Sequence, residues 1–360
     1  MGGDHGPSVV VPGIREYIRR HGGENVRFLL HGDQTAIAAE MAKCKLTAEV
    51  CDIRHTDKVV AMDEKPATAM RRGKGSSLWN AVESVKSGEA GAVVSAGNTG
   101  ALMAISKLIL RMSAPGLERP AIVASWPTLK GVTAVLDVGA NIESDAEQLI
   151  EFAIMGEAFH AAVHGVKTPT IGILNVGSED MKGHEEVREA HAVLRAGGLD
   201  LNYHGFVEGD DIAKGTVDVV VTDGFTGNIA LKTAEGTARF ISTLLKGALS
   251  SSVQAKMGAL LALPALKAMG QKIDPNAING GPLLGLNGIV VKSHGGATAQ
   301  GFGNAIRIGV DLARSDYLTT VGSKLGRLDD ILHALPTAAE APLSEAQEPA
   351  AAAPSGETLQ

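Results

Sequence analysis

The chain has 360 residues, of which 44% are hydrophobic and 20% are charged, with a formal net charge of −7. This size and composition are typical of a globular chain with one large α/β domain or two smaller ones. The acidic balance argues against binding to bulk nucleic acid. Glycine is frequent, at 44 residues, and aromatic residues make up only 3%, which favours many tight strand-to-helix turns over an all-β sandwich.

Cysteine usage and the N-terminal segment both indicate a cytoplasmic protein. Cys44 and Cys51 match no zinc or redox spacing, and we interpret them as core-filling thiols in a reducing compartment. The N-terminal residues show neither a signal-peptide pattern nor a myristoylation pattern. No uninterrupted apolar run reaches about 18 residues, so no transmembrane helix is predicted.

Short β-branched segments alternate with longer amphipathic segments. The predicted strands are 26–30, 92–95, 121–125, 133–137, 170–175, 217–222 and 288–292, and the predicted helices are 99–112, 144–164, 185–196, 226–249 and 298–317. This alternation predicts an α/β fold with a doubly wound, mostly parallel sheet between layers of helices. We assign residues 1–335 to a single catalytic domain. Residues 336–360, rich in Ala, Pro and Glu, are predicted to be a disordered tail.

Five predicted strands are followed by polar turns that contain glycine. These turns are 95–100, 137–141, 175–180, 223–228 and 293–297. Ligands of open parallel sheets bind beyond the carboxyl ends of the strands, where glycine lets backbone amides approach an anion and helix N-termini add positive charge. We expect the turns to converge on one crevice that binds phosphate or a phosphorylated ligand. The alternative for each turn is an ordinary capped connection.

The common nucleotide-binding patterns are absent. Neither GxGxxG nor GxxxxGK[ST] occurs in the sequence. This argues against a simple dinucleotide fingerprint and against a P-loop, although other loops can bind nucleotides.

Eight segments of the chain resemble the phosphate acyltransferase family of bacterial phospholipid synthesis. They are MGGDHGP (1–7), SAGNTGALM (95–103), RPAI (119–122), LDVGAN (136–141), LNVGSEDMKG (174–183), GFVEGDDI (205–212), VDVVVTDGFTGNIALKTAEG (217–236) and GGPLLGLNGIVVKSHG (280–295). The resemblance implies a fold similar to phosphotransacetylases and isopropylmalate-type dehydrogenases. It also implies transfer of a fatty acyl group from acyl carrier protein to inorganic phosphate, without metal, nucleotide or other cofactor.

The same resemblance implies partners and a location. The product, an acyl phosphate, would serve glycerol-3-phosphate acylation by a membrane acyltransferase, and the enzyme would be a homodimer at the inner face of the cell membrane. Chains of this family usually begin with an extra short strand that ends in Asp-Ala just before Met-Gly-Gly-Asp, whereas this sequence begins at that Met. We therefore expect a late start or a truncation, with a gap or an exposed edge in the sheet.

The resemblance assigns Lys182 to the reaction, and the polar turns supply most of the other candidates. Lys182 is the first choice for binding phosphate or the oxyanion, and the Asn228 amide would donate to the same oxygen. Further candidates for phosphate binding are Asn98, Thr99, Gly100, Asn141, Asn175, Gly227, Ser293 and His294. Asp4, His5 and Lys292 are weaker candidates, and His294 would donate a proton to the leaving thiolate. The structural alternatives are a solvated lysine, helix caps and a hydrogen-bonded histidine.

One stretch of the acidic chain is basic and apolar. Residues 236–273 contain no Asp or Glu, and their core, 253–272, is rich in Leu, Ala and Met. Pro264 is expected to split this core into two short helices that protrude as a hairpin near 250–273. Its Lys256, Leu260, Leu261 and Lys267 would contact anionic lipid or the carrier protein. The alternative is a core or dimer-interface helix pair.

Two other functions remain open from the sequence. One is a different enzyme of the same architecture, either a short-chain phosphotransacetylase that uses coenzyme A or a decarboxylating dehydrogenase. The other is a membrane-associated scaffold that binds acyl carrier protein without catalysis. The polar turns argue against a scaffold, because such a protein has no use for them.

Overall fold

The structure is a computed structural model that describes residues 1–114, 116–272, 274, 276 and 278–334. Its strands are β1 (Phe28–Gly32), β2 (Cys51–His55), β3 (Ala92–Ser95), β4 (Ala121–Pro127), β5 (Val132–Leu136), β6 (Thr170–Leu174), β7 (Asn202–Val207), β8 (Val219–Val221), β9 (Gly281–Leu284) and β10 (Ile289–Lys292). Its helices are α1 (Pro7–His21), α2 (Gln34–Cys44), α3 (Pro66–Arg72), α4 (Ser77–Lys86), α5 (Thr99–Leu110), α6 (Ala146–His164), α7 (Glu185–Ala196), α8 (Gly209–Lys214), α9 (Gly224–Ser250), α10 (Val253–Lys272), α11 (Ala299–Arg314) and α12 (Tyr317–Ala334).

Eight strands form the main sheet in the order β3-β10-β9-β4-β5-β8-β6-β7. Strands β5, β8, β6 and β7 are parallel to one another, and β3 is parallel to β10. The antiparallel pairs β4–β5, β4–β9 and β9–β10 join these two groups. The predicted α/β class, with a mostly parallel sheet between helices, is confirmed.

These antiparallel pairs reverse the strand direction across the sheet. Strands β3 and β10 therefore point opposite to β5, β6 and β8, and their carboxyl ends lie at the opposite edge. The expectation that all five glycine turns share one edge is wrong for this reason. The physical cause lies in two four-residue connections, 128–131 and 285–288, because connections this short join only antiparallel neighbours.

The main core lies against the sheet around helix α6. This helix is apolar on nearly all sides and is buried along most of its length, from Leu149 to His160. It contacts α7, α11 and α12 as well as β5 and β8. Because α6 is enclosed, the polar loops at the ends of β5 and β8 rest on a rigid support.

Three strands were missed in the sequence because they lack a continuous apolar run. Strand β7 is at the edge of the main sheet and alternates exposed with partly buried residues, and β2 ends in exposed Arg54 and His55. Strand β9 has only four residues and begins with Gly281 and Pro282. Edge and very short strands bury too little surface to show the apolar pattern of central strands.

Helices α9 and α10 follow one another, contact each other and are exposed over most of their lengths. The expectation that Pro264 splits the basic, apolar stretch is wrong, because α10 runs through Pro264 as one helix. A proline removes one backbone hydrogen bond and does not have to end a helix. The break falls earlier, at Ser251, and the Ser252 hydroxyl accepts the Ala255 N–H at 3.0 Å at the start of α10. In the part of the chain that the structure describes, no helix is long and apolar enough to cross a membrane.

Strands β1 and β2 form a separate two-stranded parallel sheet. A cavity of about 660 Å³ lies between this sheet and β3, lined by apolar side chains that include Val11, Leu30, Val93 and Phe302. The predicted tail, 336–360, lies outside the described residues, and the assignment of 1–335 to one domain stays a prediction.

We expect the β1–β2 sheet to open more often than the main sheet. A two-stranded sheet beside a cavity has few packed neighbours, whereas β8 is buried between β5 and β6. In native-state hydrogen exchange, the amides of β1 and β2 should be protected at least roughly tenfold less than those of β8. Equal protection of the two sheets would contradict this prediction.

Candidate functional site

The carboxyl ends of β5, β8 and β6 lie side by side at one edge of the sheet. Leu136 of β5 and Ile173 of β6 both pair with Val221 of β8. The loops that follow, 137–141, 222–228 and 175–183, therefore begin at the same level. We call these three loops the strand-end site, and their position is the usual ligand position in an open α/β sheet.

The Asp137 carboxylate organises the first loop. Asp137 is completely buried, and its oxygens accept backbone N–H groups from Ile122 at 3.0 Å, Gly139 at 3.2 Å, Ala140 at 3.0 Å and Asn141 at 2.6 Å. Burial raises the pKa of Asp137, and these hydrogen bonds oppose that effect. The side chain is fully engaged, so its role is to fix the turn.

Helix α9 begins directly on this turn. A Cβ atom added at Gly227 would lie 2.0 Å from the Asp137 carbonyl oxygen, and one added at Gly224 would lie 2.3 Å from that of Asn141. Only glycine permits this approach. The Asp223 side chain caps α9 by accepting the Thr226 N–H at 2.8 Å. The helix N-terminus, with its partial positive charge, therefore faces the strand-end site.

Asn228 lies in the first turns of α9 beside the Asp137 loop. The nearest atoms to a Cβ built at Gly139 are those of the Asn228 side chain, at 3.5 Å. Asn228 is exposed, and its side-chain amide has no hydrogen bond to another residue in the described ranges. Its N–H₂ group is therefore available to a ligand at this edge.

Lys182 lies in the loop that follows β6. Its Nζ donates to the Glu179 carboxylate at 2.7 Å, and half of its side chain is exposed. The hydrogen bond that Lys182 donates to the Glu179 carboxylate raises the pKa of Lys182, so the lysine is cationic at neutral pH. Asn175 fastens the loop by donating from Nδ2 to the Lys182 carbonyl at 3.0 Å. Gly183 has φ +91° and touches Asn175 so closely that a side chain would not fit.

Two predicted ligand residues at this edge hold the loops instead. Asn141 is buried, and its Nδ2 donates to the Pro120 carbonyl at 3.2 Å and to Asp137 at 3.0 Å. Asn175 is engaged with Lys182, as described above. The side chains of Asn141 and Asn175 thus position the Lys182 loop and the start of α9, where the Asn228 amide is exposed.

The remaining predicted residues lie at the opposite edge, after β3 and β10. Asn98 is buried and caps α5, while its Nδ2 donates to the carbonyls of Ala61, Met62 and Glu64. Thr99 and Gly100 form the first turn of the same helix. The Asn98 side chain therefore has no donor left for phosphate.

The residues after β10 are also engaged within the protein. Ser293 is completely buried, and its hydroxyl accepts from Asn279 at 2.8 Å. His294 is exposed, and its Nδ1 accepts the Gly296 N–H at 3.2 Å. Burial lowers the pKa of Lys292 to about 8, with the Asp4 charge acting in the opposite direction.

Some functional positions were missed in the sequence. Asp137 was seen only as part of a turn, and Asn279, which bonds both Ser293 and His294, was not selected. The sequence signal for Asp137 is its position, directly after an apolar strand and just before a turn that contains Gly139 and Asn141. His5 is exposed, as the weak assignment allows.

The fold is that of phosphotransacetylases. A phosphotransacetylase from Streptococcus pyogenes superposes with a TM-score of 0.58 at 18% identity, covering 85% of this chain and 92% of that one. The EutD phosphotransacetylase from Staphylococcus aureus gives a TM-score of 0.53 at 15% identity, covering 84% and 99%. The superpositions establish a shared fold, and at identities this low they carry no conclusion about function.

Sequence comparison defines the family. The model described as "Fatty acid synthesis protein" matches residues 1–320. A protein named phosphate acyltransferase from Caulobacter vibrioides is 69% identical over 328 residues, 91% of this chain and 90% of the relative. One with the same name from Phenylobacterium zucineum is 60% identical over 328 residues, 91% and 92%. The chain belongs to this fatty acid synthesis family, and it is an acyltransferase.

The close contact between α9 and the Asp137 loop leads to a prediction about stability. Gly227→Ala should lower the free energy of unfolding by about 3 kcal/mol, because the added methyl group meets a fixed backbone oxygen. Gly247→Ala, in the same helix but with open space around it, should raise stability by about 0.5–1 kcal/mol. Denaturant unfolding of both variants measures the difference, and equal effects would contradict the proposed packing.

Proposed function

We propose that this acyltransferase moves a long-chain fatty acyl group from acyl carrier protein to inorganic phosphate. The acyl phosphate would then be used for glycerol-3-phosphate acylation by a membrane enzyme. The observation that carries the proposal is the strand-end site, whose adjacent loops contain cationic Lys182 and, at the start of helix α9, the exposed Asn228 amide. The names of the curated relatives support phosphate as the acceptor.

The reaction needs few groups from the enzyme. A phosphate oxygen attacks the thioester carbonyl, the carbon–sulfur bond breaks, and the thiolate of the carrier leaves and takes a proton from solvent. Phosphate is already a nucleophile at neutral pH, so no acyl-enzyme is required. The protein must hold two reactants together and stabilise the oxyanion, which a cation, an amide and a helix N-terminus supply.

Lys182→Ala should reduce phosphate-dependent turnover at least about 100-fold, because a fixed cation near the developing oxyanion is lost. Folding should be unaffected, since an exposed ion pair contributes little to stability. The measurement is release of free carrier thiol from palmitoyl carrier protein with and without phosphate, combined with thermal unfolding.

A matched lysine provides the control. Lys214 is exposed to a similar degree, 54% against 50%, and is paired with Asp210 at 2.6 Å. Lys214→Ala should leave turnover unchanged. Unchanged turnover in Lys182→Ala would remove Lys182 from the mechanism. Acetyl coenzyme A, used as the donor in the same assay, separates this function from a short-chain phosphotransacetylase.

We infer that the α9–α10 pair contacts the membrane surface or the carrier protein, at the inner face of the cell membrane. Leu260 and Leu261 are 71% and 84% exposed, and they lie in a stretch without Asp or Glu. Lys256 and Lys267 flank them in α10 and would attract anionic headgroups or an acidic protein. Other exposed apolar residues of α9, such as Phe240 and Leu244, are suited to the subunit contact of a homodimer.

Vesicle flotation tests this contact. The wild-type protein should float with vesicles that contain anionic lipid, and the double variant Leu260→Ser/Leu261→Ser should lose most of that binding, because it removes the exposed apolar side chains. Leu129→Ser, which removes an exposed leucine from the 128–131 connection between β4 and β5, should bind as the wild type does. Binding that is absent, or equal in all three proteins, would refute the membrane contact.

A further inference from the structure

Exposed apolar side chains surround the donors of the strand-end site. Ile142 follows Asn141, Val176 follows Asn175, Met181 precedes Lys182, and Phe225 lies in the first turn of α9. All four are between 59% and 82% exposed. We call these four residues the apolar rim.

Single exposed apolar residues are common on protein surfaces, and Leu129 is an example here. The rim differs because its members come from three loops that end adjacent strands. Each member lies within three residues, along the sequence, of Asn141, Asn175, Lys182 or Asn228, the side chains that would bind the anion or that hold the loops in place. The loops contain otherwise mainly glycine and polar residues, so the rim places apolar surface beside a site with cationic and amide donors.

We propose that the apolar rim binds the alkyl chain of the acyl donor and so sets a preference for long-chain substrates, an inference that rests on the proposed function. The acyl carbonyl has to lie at Lys182 and Asn228, so the alkyl chain must leave across these loops. Strands β5 and β6 are separated by β8, so the loops span about 10 Å. A long chain can contact several rim residues over this span, whereas an acetyl group reaches hardly beyond the carbonyl.

The experiment compares two donors on the same carrier, palmitoyl and butyryl carrier protein. The double variant Val176→Thr/Met181→Gln keeps the size of both side chains but makes them polar. It should lower the ratio of kcat/KM for palmitoyl over butyryl donor by about tenfold, because contact with an alkyl chain is lost. Leu129→Ser serves as the control and should leave the ratio unchanged.

Two results would overturn the proposal. One is an unchanged ratio in the double variant. The other is altered sedimentation of that variant, which would assign the rim to a subunit contact.

If the wild type releases no thiol from either donor when phosphate is added, the proposed function fails separately. In that case the affinities of the two donors test the apolar rim. Palmitoyl carrier protein should bind to the wild type more tightly than butyryl carrier protein, and the double variant should abolish this difference. Equal binding of the two donors by the wild type would overturn the proposal.

Discussion

The buried carboxylate of Asp137 is the interaction on which the candidate site depends. It collects backbone N–H groups from its own loop and from Ile122 of β4, and this closes the loop tightly against the sheet. The carbonyl groups of the same loop then receive the glycines of α9 at short range. A buried charge is tolerated here only because several donors surround it. The result is a fixed starting point for α9, and hence for Asn228.

The reversal of strand direction divides the glycine turns into two groups with different chemistry. At one edge, the side chains of Asn98 and Ser293 form hydrogen bonds within the protein, Asn98 as the cap of α5 and Ser293 with Asn279. At the other edge, Asn141 and Asn175 hold the loops, while the Asn228 amide is exposed and Lys182 is half-exposed beside Glu179. Polar residues in similar motifs thus serve either as scaffold or as donors, and the hydrogen-bond partners distinguish the two roles.

Much of the fold was accessible from the sequence, and the errors have physical causes. Central strands such as β5 and β8 are covered on both faces, so their continuous apolar runs predict them well. The direction of a strand cannot be predicted from its apolar run, because direction depends on the length of the connections and on strand pairing. The predicted strands 121–125 and 133–137 are separated by seven residues, which is too short for a parallel crossover and already favours an antiparallel pair. The candidate Lys182 came from family resemblance, since an exposed lysine has no distinctive pattern of its own, whereas Asn228 was indicated by its polar glycine turn.

Helix α9 connects the strand-end site to the exposed apolar surface. It has 27 residues, about 40 Å in length, and its buried residues are Gly224 and Gly227, both in its first turn. The rest of the helix is largely exposed, contacts α10 and carries exposed apolar side chains such as Phe240. One rigid element therefore has anion donors at its start and apolar surface along its length. This arrangement suits the proposed reaction of a small anion with a fatty acyl chain, because the same helix would organise both chemistries.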